Sequence, residues 1–242
     1  MIEPLLLSSV HIATFNQQTL LTNASGFFFR RDEKLFLVTS RHVLEDKASA
    51  HFPDRITIEI HNDPENLAKS TGYSIPLLNN GKKIWRHGVD SAGEVDVAVI
   101  EIQQENLPDT TTYHAFTPDH LLDSIEKIEI GSKLLIVGFP LGFHDTLHHL
   151  PVARQAINAS SFSMRFQGKG YFLTDARTHR GMSGAPVVMH ALERNGDEEM
   201  PWMLLGIHSA RLDVGTRDLE LDEALGLNCA WFADILLTLT ED

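Results

Sequence analysis

Short apolar runs broken by polar and turn-forming residues recur along the chain. Val10 to Phe15, Gly26 to Arg30, Lys34 to Thr39, Arg55 to Ile60 and Val95 to Ile102 have the alternation and the β-branched or aromatic content of strands. Asp32-Glu33 predicts a tight hairpin between the second and third. A second group follows at Lys133 to Val137, Ala153 to Ala159, Tyr171 to Thr174, Pro186 to Met189 and Met203 to Ile207. Between the groups, Pro118 to Glu126 reads as a link with room for a helical turn, and Trp231 to Leu239 closes the chain with helical spacing. Asn62 to Thr71, Asn79 to Val89 and Leu192 to Pro201 are polar and read as exposed loops. No repeat, low-complexity tract or long helical pattern separates the strands. Two groups of similar size predict an all-β chain of two small barrels or a packed sandwich pair, not an α/β sheet. The expected division is 1–116, a linker at 117–125, and 126–242.

Composition allows a real core: 43% of the 242 residues are hydrophobic and 22% are charged. Twenty Lys and Arg stand against 33 Asp and Glu, a formal charge of −13. Phosphate backbones and anionic membranes repel such a chain, and no compact basic cluster reverses this locally, so neither nucleic acid nor membrane is an expected partner. Cys229 is the single cysteine, which excludes an internal disulfide and favours a reducing compartment. The start carries Glu3 where an export signal needs basic residues, and no stretch approaches the length of a membrane span. The expected location is cytoplasmic; the oligomeric state is left open.

The strongest chemical signal is Gly181-Met182-Ser183-Gly184-Ala185-Pro186. A serine between glycines in a tight turn can present its hydroxyl while the N–H groups of Gly181 and Ser183 converge on one point, forming an oxyanion hole. Taken alone, the segment is equally an ordinary Gly-Ser-Gly turn. A serine nucleophile needs a base, and His42 follows an apolar strand. The base needs an orienting acid. Asp96 opens the run Val97-Ala98-Val99-Ile100 and is expected to be partly buried; Asp90, in a polar loop, is the weaker candidate. The order His, Asp, Ser matches the chymotrypsin arrangement and not the α/β-hydrolase order, whose elbow also ends in a glycine where Ala185 stands.

Four blocks in sequence carry a family resemblance. Ser25-Gly26-Phe27 with Leu37-Val38-Thr39-Ser40-Arg41-His42-Val43 resembles "GSGF…LTNxHV", and Asp96 to Ile100 resembles "DIALL". Gly131 to Gly142 resembles "GDxVxAIGNPxG", and Thr174-Asp175-Ala176 with Gly181 to Pro186 resembles "TDAxxxxGNSGGP". These blocks resemble a trypsin-like peptidase, most of all the protease domain of the HtrA type. The resemblance implies two antiparallel six-stranded β-barrels with a C-terminal helix, a catalytic triad of His42, Asp96 and Ser183 between them, and a protein or peptide substrate. It implies no cofactor and no metal. Two departures matter. Met182 replaces the aspartate that captures a cleaved N-terminus in secreted relatives, so activation is expected without that cut, through ordering of the loops at Gly142 to Pro151 and Arg177 to Gly181. Nothing in the chain resembles a PDZ domain.

The resemblance also assigns a substrate pocket. Arg177 and Thr178 precede the serine, and Gly206-Ile207-His208-Ser209-Ala210-Arg211 follows it. Thr178 with His208 resembles glutamyl endopeptidases and implies cleavage after Glu or Gln, with Arg177 or Arg211 at the pocket's edge. The HtrA type, with Asn at the place of His208, prefers small apolar residues, and that alternative stays open. Ser209 corresponds to a serine that hydrogen-bonds the triad aspartate. His144, His148 and His149 lack the spacing of a helical metal site and read as a polar loop. His179 reads as a rim residue and Cys229 as a core thiol. Two further functions compete with the peptidase: a non-catalytic or regulated interaction module on the same fold, and an esterase using the same three groups.

Overall fold

The computed structural model describes residues 2–122, 128–191, 200–211 and 226–241. After a short helix at Pro4–Ser8, strands run β1 (Ser9–Asn16), β2 (Thr19–Arg31), β3 (Lys34–Thr39), β4 (Arg55–His61), β5 (Ser70–Pro76), β6 (Leu78–Asn79), β7 (Lys82–Lys83), β8 (Trp85–Asp90) and β9 (Gly93–Ile102). Pro118–His120 makes one 3₁₀ turn in the link. Then follow β10 (Lys133–Gly138), β11 (Val152–Asn158), β12 (Tyr171–Asp175), β13 (Pro186–His190), β14 (Trp202–Arg211), β15 (Leu227–Phe232) and a helix at Ile235–Leu239.

The second group closes as an antiparallel barrel in the order β10-β11-β12-β15-β14-β13. Each strand sends at least one residue into its core: Ile136, Ala156, Phe172, Ala230, Leu205 and Val187 are all buried in one cluster. The first group differs from the expected six-stranded barrel. It forms a seven-stranded sheet in the order β5-β4-β1-β2-β3-β9-β8, and no ladder joins β5 to β8. β5 ends at Pro76, which has no N–H to donate, and β6 with β7 forms a separate ribbon before β8 begins. The sheet still curls around one core, where Ile75 of β5 and Trp85 of β8 pack with Ile12, Phe28, Leu37, Ile58 and Ile100.

Between the two sheets lies a third cluster, and the alternation of β2, β3 and β9 explains it. Phe27 and Phe29, Phe36 and Val38, and Val95, Val97 and Val99 face the seam, while Phe28, Leu35, Leu37, Ala98 and Ile100 face the first sheet's own core. Buried on both sides, these strands read as continuous apolar runs rather than alternating ones. Val137, Leu173, Val188, Ile207 and Trp231 complete the seam from the barrel side, and Leu236 and Leu239 of the final helix cover it.

Five strands were illegible in the sequence, two of them the two-residue pieces β6 and β7. β5 is mostly exposed, and β8 lies largely within what reads as a polar loop; both are held by backbone pairing to apolar neighbours. β15 takes Trp231 and Phe232 out of the expected helical segment, because barrel closure pairs Trp231 with both Tyr171 and Ile207. Most of the loop expected at Leu192 to Pro201 lies outside the described residues. Its end does not: Met200 is buried in the seam rather than exposed.

Candidate active site

The register between β3 and β9 sets Thr39 opposite Ala98. Continuing antiparallel, the turn Arg41–Leu44 falls opposite Asp96. Asp96 is a half-buried carboxylate with three donors. Oδ1 accepts the backbone N–H of His42 at 2.9 Å; Oδ2 accepts His42 Nδ1 at 2.7 Å and the Ser209 hydroxyl at 2.5 Å. A carboxylate facing Nδ1 keeps the ring proton there and leaves Nε2 as a lone-pair acceptor. Burial alone would lower the His42 pKa, but the hydrogen bond and charge of Asp96 outweigh it and leave the pKa above 6.5. Burial pushes the other way on Asp96, and the bonds from His42 and Ser209 bring its pKa below the ordinary 3.8.

Ser183 sits in the turn before β13, between Gly181 at φ 92° and Gly184 at φ 87°. Neither glycine tolerates a side chain. A Cβ on Gly181 would lie 2.5 Å from the Phe139 carbonyl, and one on Gly184 would lie 2.2 Å from that of Ser25. In a trans peptide the C=O and the next N–H point in opposite directions. The Arg180 carbonyl accepts from Leu141 N at 2.6 Å, and the Met182 carbonyl accepts from Ala185 N at 2.9 Å. The N–H groups of Gly181 and Ser183 are thereby turned the other way, and neither donates to a backbone carbonyl among the described residues. The Ser183 hydroxyl donates to the Ser209 carbonyl at 2.9 Å, not to His42. Ser209, at the irregularity near the end of β14, thus touches both Asp96 and Ser183.

His208, one residue earlier, is buried, with Nδ1 shielded and unpartnered. Burial, with the nearby His42 adding, lowers its pKa to about 4, so the ring is neutral at ordinary pH. Thr178 is buried too, but its hydroxyl donates to Asn228 Oδ1 at 2.5 Å. Its one proton is thereby committed inside the protein, leaving acceptor capacity toward the cleft. Asn228 is fixed in turn, its amide donating to the carbonyls of Ala176 at 2.8 Å and Gly226 at 2.9 Å. Arg177 is exposed, and its carbonyl accepts from Arg154 at 2.7 Å. The side chain of Arg211 lies outside the described residues.

Residues 24–193 match the family model of the trypsin-like peptidase domain. The chain belongs to that family. No curated protein matches its sequence. Among solved structures, a serine endoprotease from Yersinia pestis superposes with a TM-score of 0.55 at 18% identity, over 96% of this chain and 61% of that one. The Rv3671c protease from M. tuberculosis, in its active form, superposes with a TM-score of 0.51 at 15% identity, over 98% of this chain and 82% of that one. At these identities the likeness is one of fold. The chain spans about 61% of the Yersinia protein's length.

The rest of this trypsin-like peptidase domain narrows the other candidates. Asp90 pairs with Arg165 at 2.9 Å and caps the N–H of Ala92 at 2.8 Å, and has no bond to His42. His144 stacks on His11 and meets His149 at a tilt, but no group of three or more metal-donor side chains forms among the described residues. His148 pairs with Asp145 at 2.7 Å. His179 is half-buried on the turn, where its carbonyl accepts from Met182 N. Cys229 is buried in β15, and burial raises its thiol pKa to about 11, too high for a nucleophile at neutral pH. No helix among the described residues is long and apolar enough to cross a membrane. Sequence reasoning missed Asn228, because its strand was not expected. It read Ser25 only as part of a motif, although that side chain reaches the turn at Gly181.

Proposed function

We propose that this domain is a serine endopeptidase acting on protein or peptide substrates through His42, Asp96 and Ser183. Ser183 attacks the scissile carbonyl. His42 takes the proton on Nε2 and returns it to the leaving amine. Asp96 holds the ring and stabilises the imidazolium. The N–H groups of Gly181 and Ser183 receive the oxyanion. The observation that carries this reading is the Asp96 carboxylate. It grips both the backbone and Nδ1 of His42, which a base awaiting a serine proton requires and a mere core histidine does not. Met182 is fully buried among Ala185 and Val187, which supports activation without capture of a cleaved N-terminus.

For the pocket we assign a preference for Gln or Glu before the cut. The support is His208, a neutral ring at the position that the family resemblance gives to the pocket. With Thr178 committed to Asn228, the donor to the substrate side chain is the imidazole. A site with such a donor rejects an apolar side chain, which would leave it unpaired. A second reading has its own observation: the Ser183 hydroxyl rests on the Ser209 carbonyl, which supports an enzyme regulated by a turn of that side chain toward His42. Digestion of a peptide library tests both levels. Cleavage by the wild type that is absent from Ser183→Ala supports the peptidase, and its loss after Gln and Glu in His208→Ala supports the pocket. No cleavage at all defeats the first. Dominant cutting after Val, Ala or Leu, unchanged in His208→Ala, defeats the second.

A further inference from the structure

Ser25, on β2 in the first sheet, is fully buried, and it is tied to the Ser183 turn by both backbone and side chain. Its N–H donates to the Ser183 carbonyl at 2.9 Å. Its hydroxyl donates to the Gly181 carbonyl at 2.7 Å and accepts the N–H of Phe139 at 3.0 Å. Its own carbonyl accepts the Thr39 hydroxyl at 2.8 Å, which fastens it to β3 just before His42. The fit is close on every side: a Cβ on Gly138 would come 2.5 Å from the Ser25 hydroxyl.

These ties bear on the orientation of two peptide planes. The bond to the Gly181 carbonyl fixes the Gly181–Met182 plane directly. The bond from Phe139 fixes the start of the Pro140–Gly142 turn, whose Leu141 N–H holds the Arg180 carbonyl. That carbonyl shares its peptide plane with the Gly181 N–H, so anything that lets Leu141 drift lets that N–H rotate out of the cleft. Leu141 is itself at φ 55°, a conformation a non-glycine residue keeps only when its surroundings enforce it. One buried hydroxyl from the first sheet therefore braces both sides of the oxyanion hole, which the second barrel builds.

We propose that Ser25 is a positioning residue for the oxyanion hole, acting through the peptides at Gly181 and Phe139 rather than on substrate. The inference rests on the peptidase reading above. Without the hydroxyl, the Gly181 carbonyl and the Phe139 N–H are left buried and unpaired, and each gains by turning toward water. Rotation of the Arg180–Gly181 peptide then removes a donor from the developing oxyanion. Direct loss of such a donor costs about 10²–10³ in kcat. Partial loss through a loosened support gives an expected fall of roughly 10- to 100-fold in kcat with KM within about 2-fold, since ground-state binding does not use the hole.

The test compares wild type, Ser25→Ala and Ser25→Cys by steady-state hydrolysis of a peptide the wild type cleaves, alongside inhibition by a peptide aldehyde with the same sequence. The aldehyde adds to Ser183 and places the resulting oxygen in the hole, whereas the same N-acyl peptide with a methyl group in place of the aldehyde binds only the cleft. The expected result is a kcat fall with parallel weakening of the aldehyde, unchanged binding of the methyl analogue, and a smaller fall for Ser25→Cys, whose thiol hydrogen-bonds weakly. All rates are referred to the folded fraction measured by thermal unfolding. A folded Ser25→Ala with wild-type kcat and aldehyde affinity, beside an active wild type, overturns the role of Ser25 and leaves the peptidase reading intact. Equal weakening of aldehyde and methyl analogue also overturns it, since that marks a general loss of cleft structure. If Ser25→Ala does not fold, Ser25→Cys decides, and a wild-type kcat in that variant is contrary. A wild type that cleaves nothing and binds no aldehyde overturns both readings together.

Discussion

Asp96→Asn is the perturbation whose outcome the geometry specifies most closely. Asp96 offers two acceptor oxygens to three donors. Asparagine offers one oxygen and one NH₂. If the NH₂ replaces Oδ1, it faces the backbone N–H of His42, two donors opposed. If it replaces Oδ2, it donates to His42 Nδ1, and the ring must then carry its proton on Nε2. The second arrangement satisfies more groups and is the one expected. It leaves the imidazole without a lone pair for the Ser183 proton. The wrong tautomer costs about 10⁴ in kcat in triads of this kind, a barrier increase of about 5 kcal/mol. Folding stability should change far less, by about 1–3 kcal/mol, the range for one mispaired buried group. The assay is kcat on a cleavable peptide together with urea denaturation of the same samples. Asp90→Asn serves as the comparison, since Asp90 bonds Arg165 and Ala92 and should leave kcat within about 3-fold of wild type. An Asp96→Asn enzyme within 10-fold of wild type, or an Asp90→Asn enzyme as damaged as Asp96→Asn, refutes the assignment of the acid.

Three other outcomes follow from the site. His42 must be neutral to accept a proton, and Asp96 holds its pKa above 6.5, so kcat/KM should fall as pH drops through a midpoint above 6.5; a midpoint below 6 in a pH–rate profile is contrary. His208 binds its proton near pH 4 when folded and near 6.5 when unfolded, so its contribution is a loss of stability as pH falls through that window. The loss reaches up to about 3 kcal/mol near pH 4, and His208→Gln should flatten this part of a stability–pH curve measured by urea unfolding. Gly184→Ala drives a Cβ to 2.2 Å from the Ser25 carbonyl and 2.3 Å from the Thr39 hydroxyl at positive φ, and should lower stability by about 3 kcal/mol or more in chemical denaturation; a loss under 1 kcal/mol would contradict the packing described.

What was legible in the sequence divides by physical cause. β2, β3 and β9 carry long apolar runs because both their faces are buried, so they stood out, and with them the positions of His42 and Asp96 at their ends. The Ser183 turn stood out because its backbone angles demand glycine on both sides. β5 and β8 were hidden because edge strands are held by main-chain bonds that leave their side chains free to be polar. That same edge explains the departure from two closed barrels: closure depends on pairing between β5 and β8, and side-chain pattern carries no trace of it. Asn228 was hidden for a third reason. Its partners Thr178, Ala176 and Gly226 come together only when β12 and β15 pair, and Thr178 then spends its proton inside the protein. The Ser209 hydroxyl bonds Asp96, and its carbonyl holds the Ser183 hydroxyl; the second contact depends on the irregular end of β14, which no motif encodes.

The most direct test of the account is covalent labelling of Ser183 by a fluorophosphonate, located by mass spectrometry of the digested protein. The reagent needs the same three things as peptide hydrolysis: a deprotonated serine, a base at His42 and donors for a developing oxyanion. The expected result is one label per chain, on the peptide bearing Ser183. It should be absent from Ser183→Ala and at least 10²-fold slower in His42→Ala. A protein that stays unlabelled after hours at pH 8, or that is labelled equally well in His42→Ala, would contradict it.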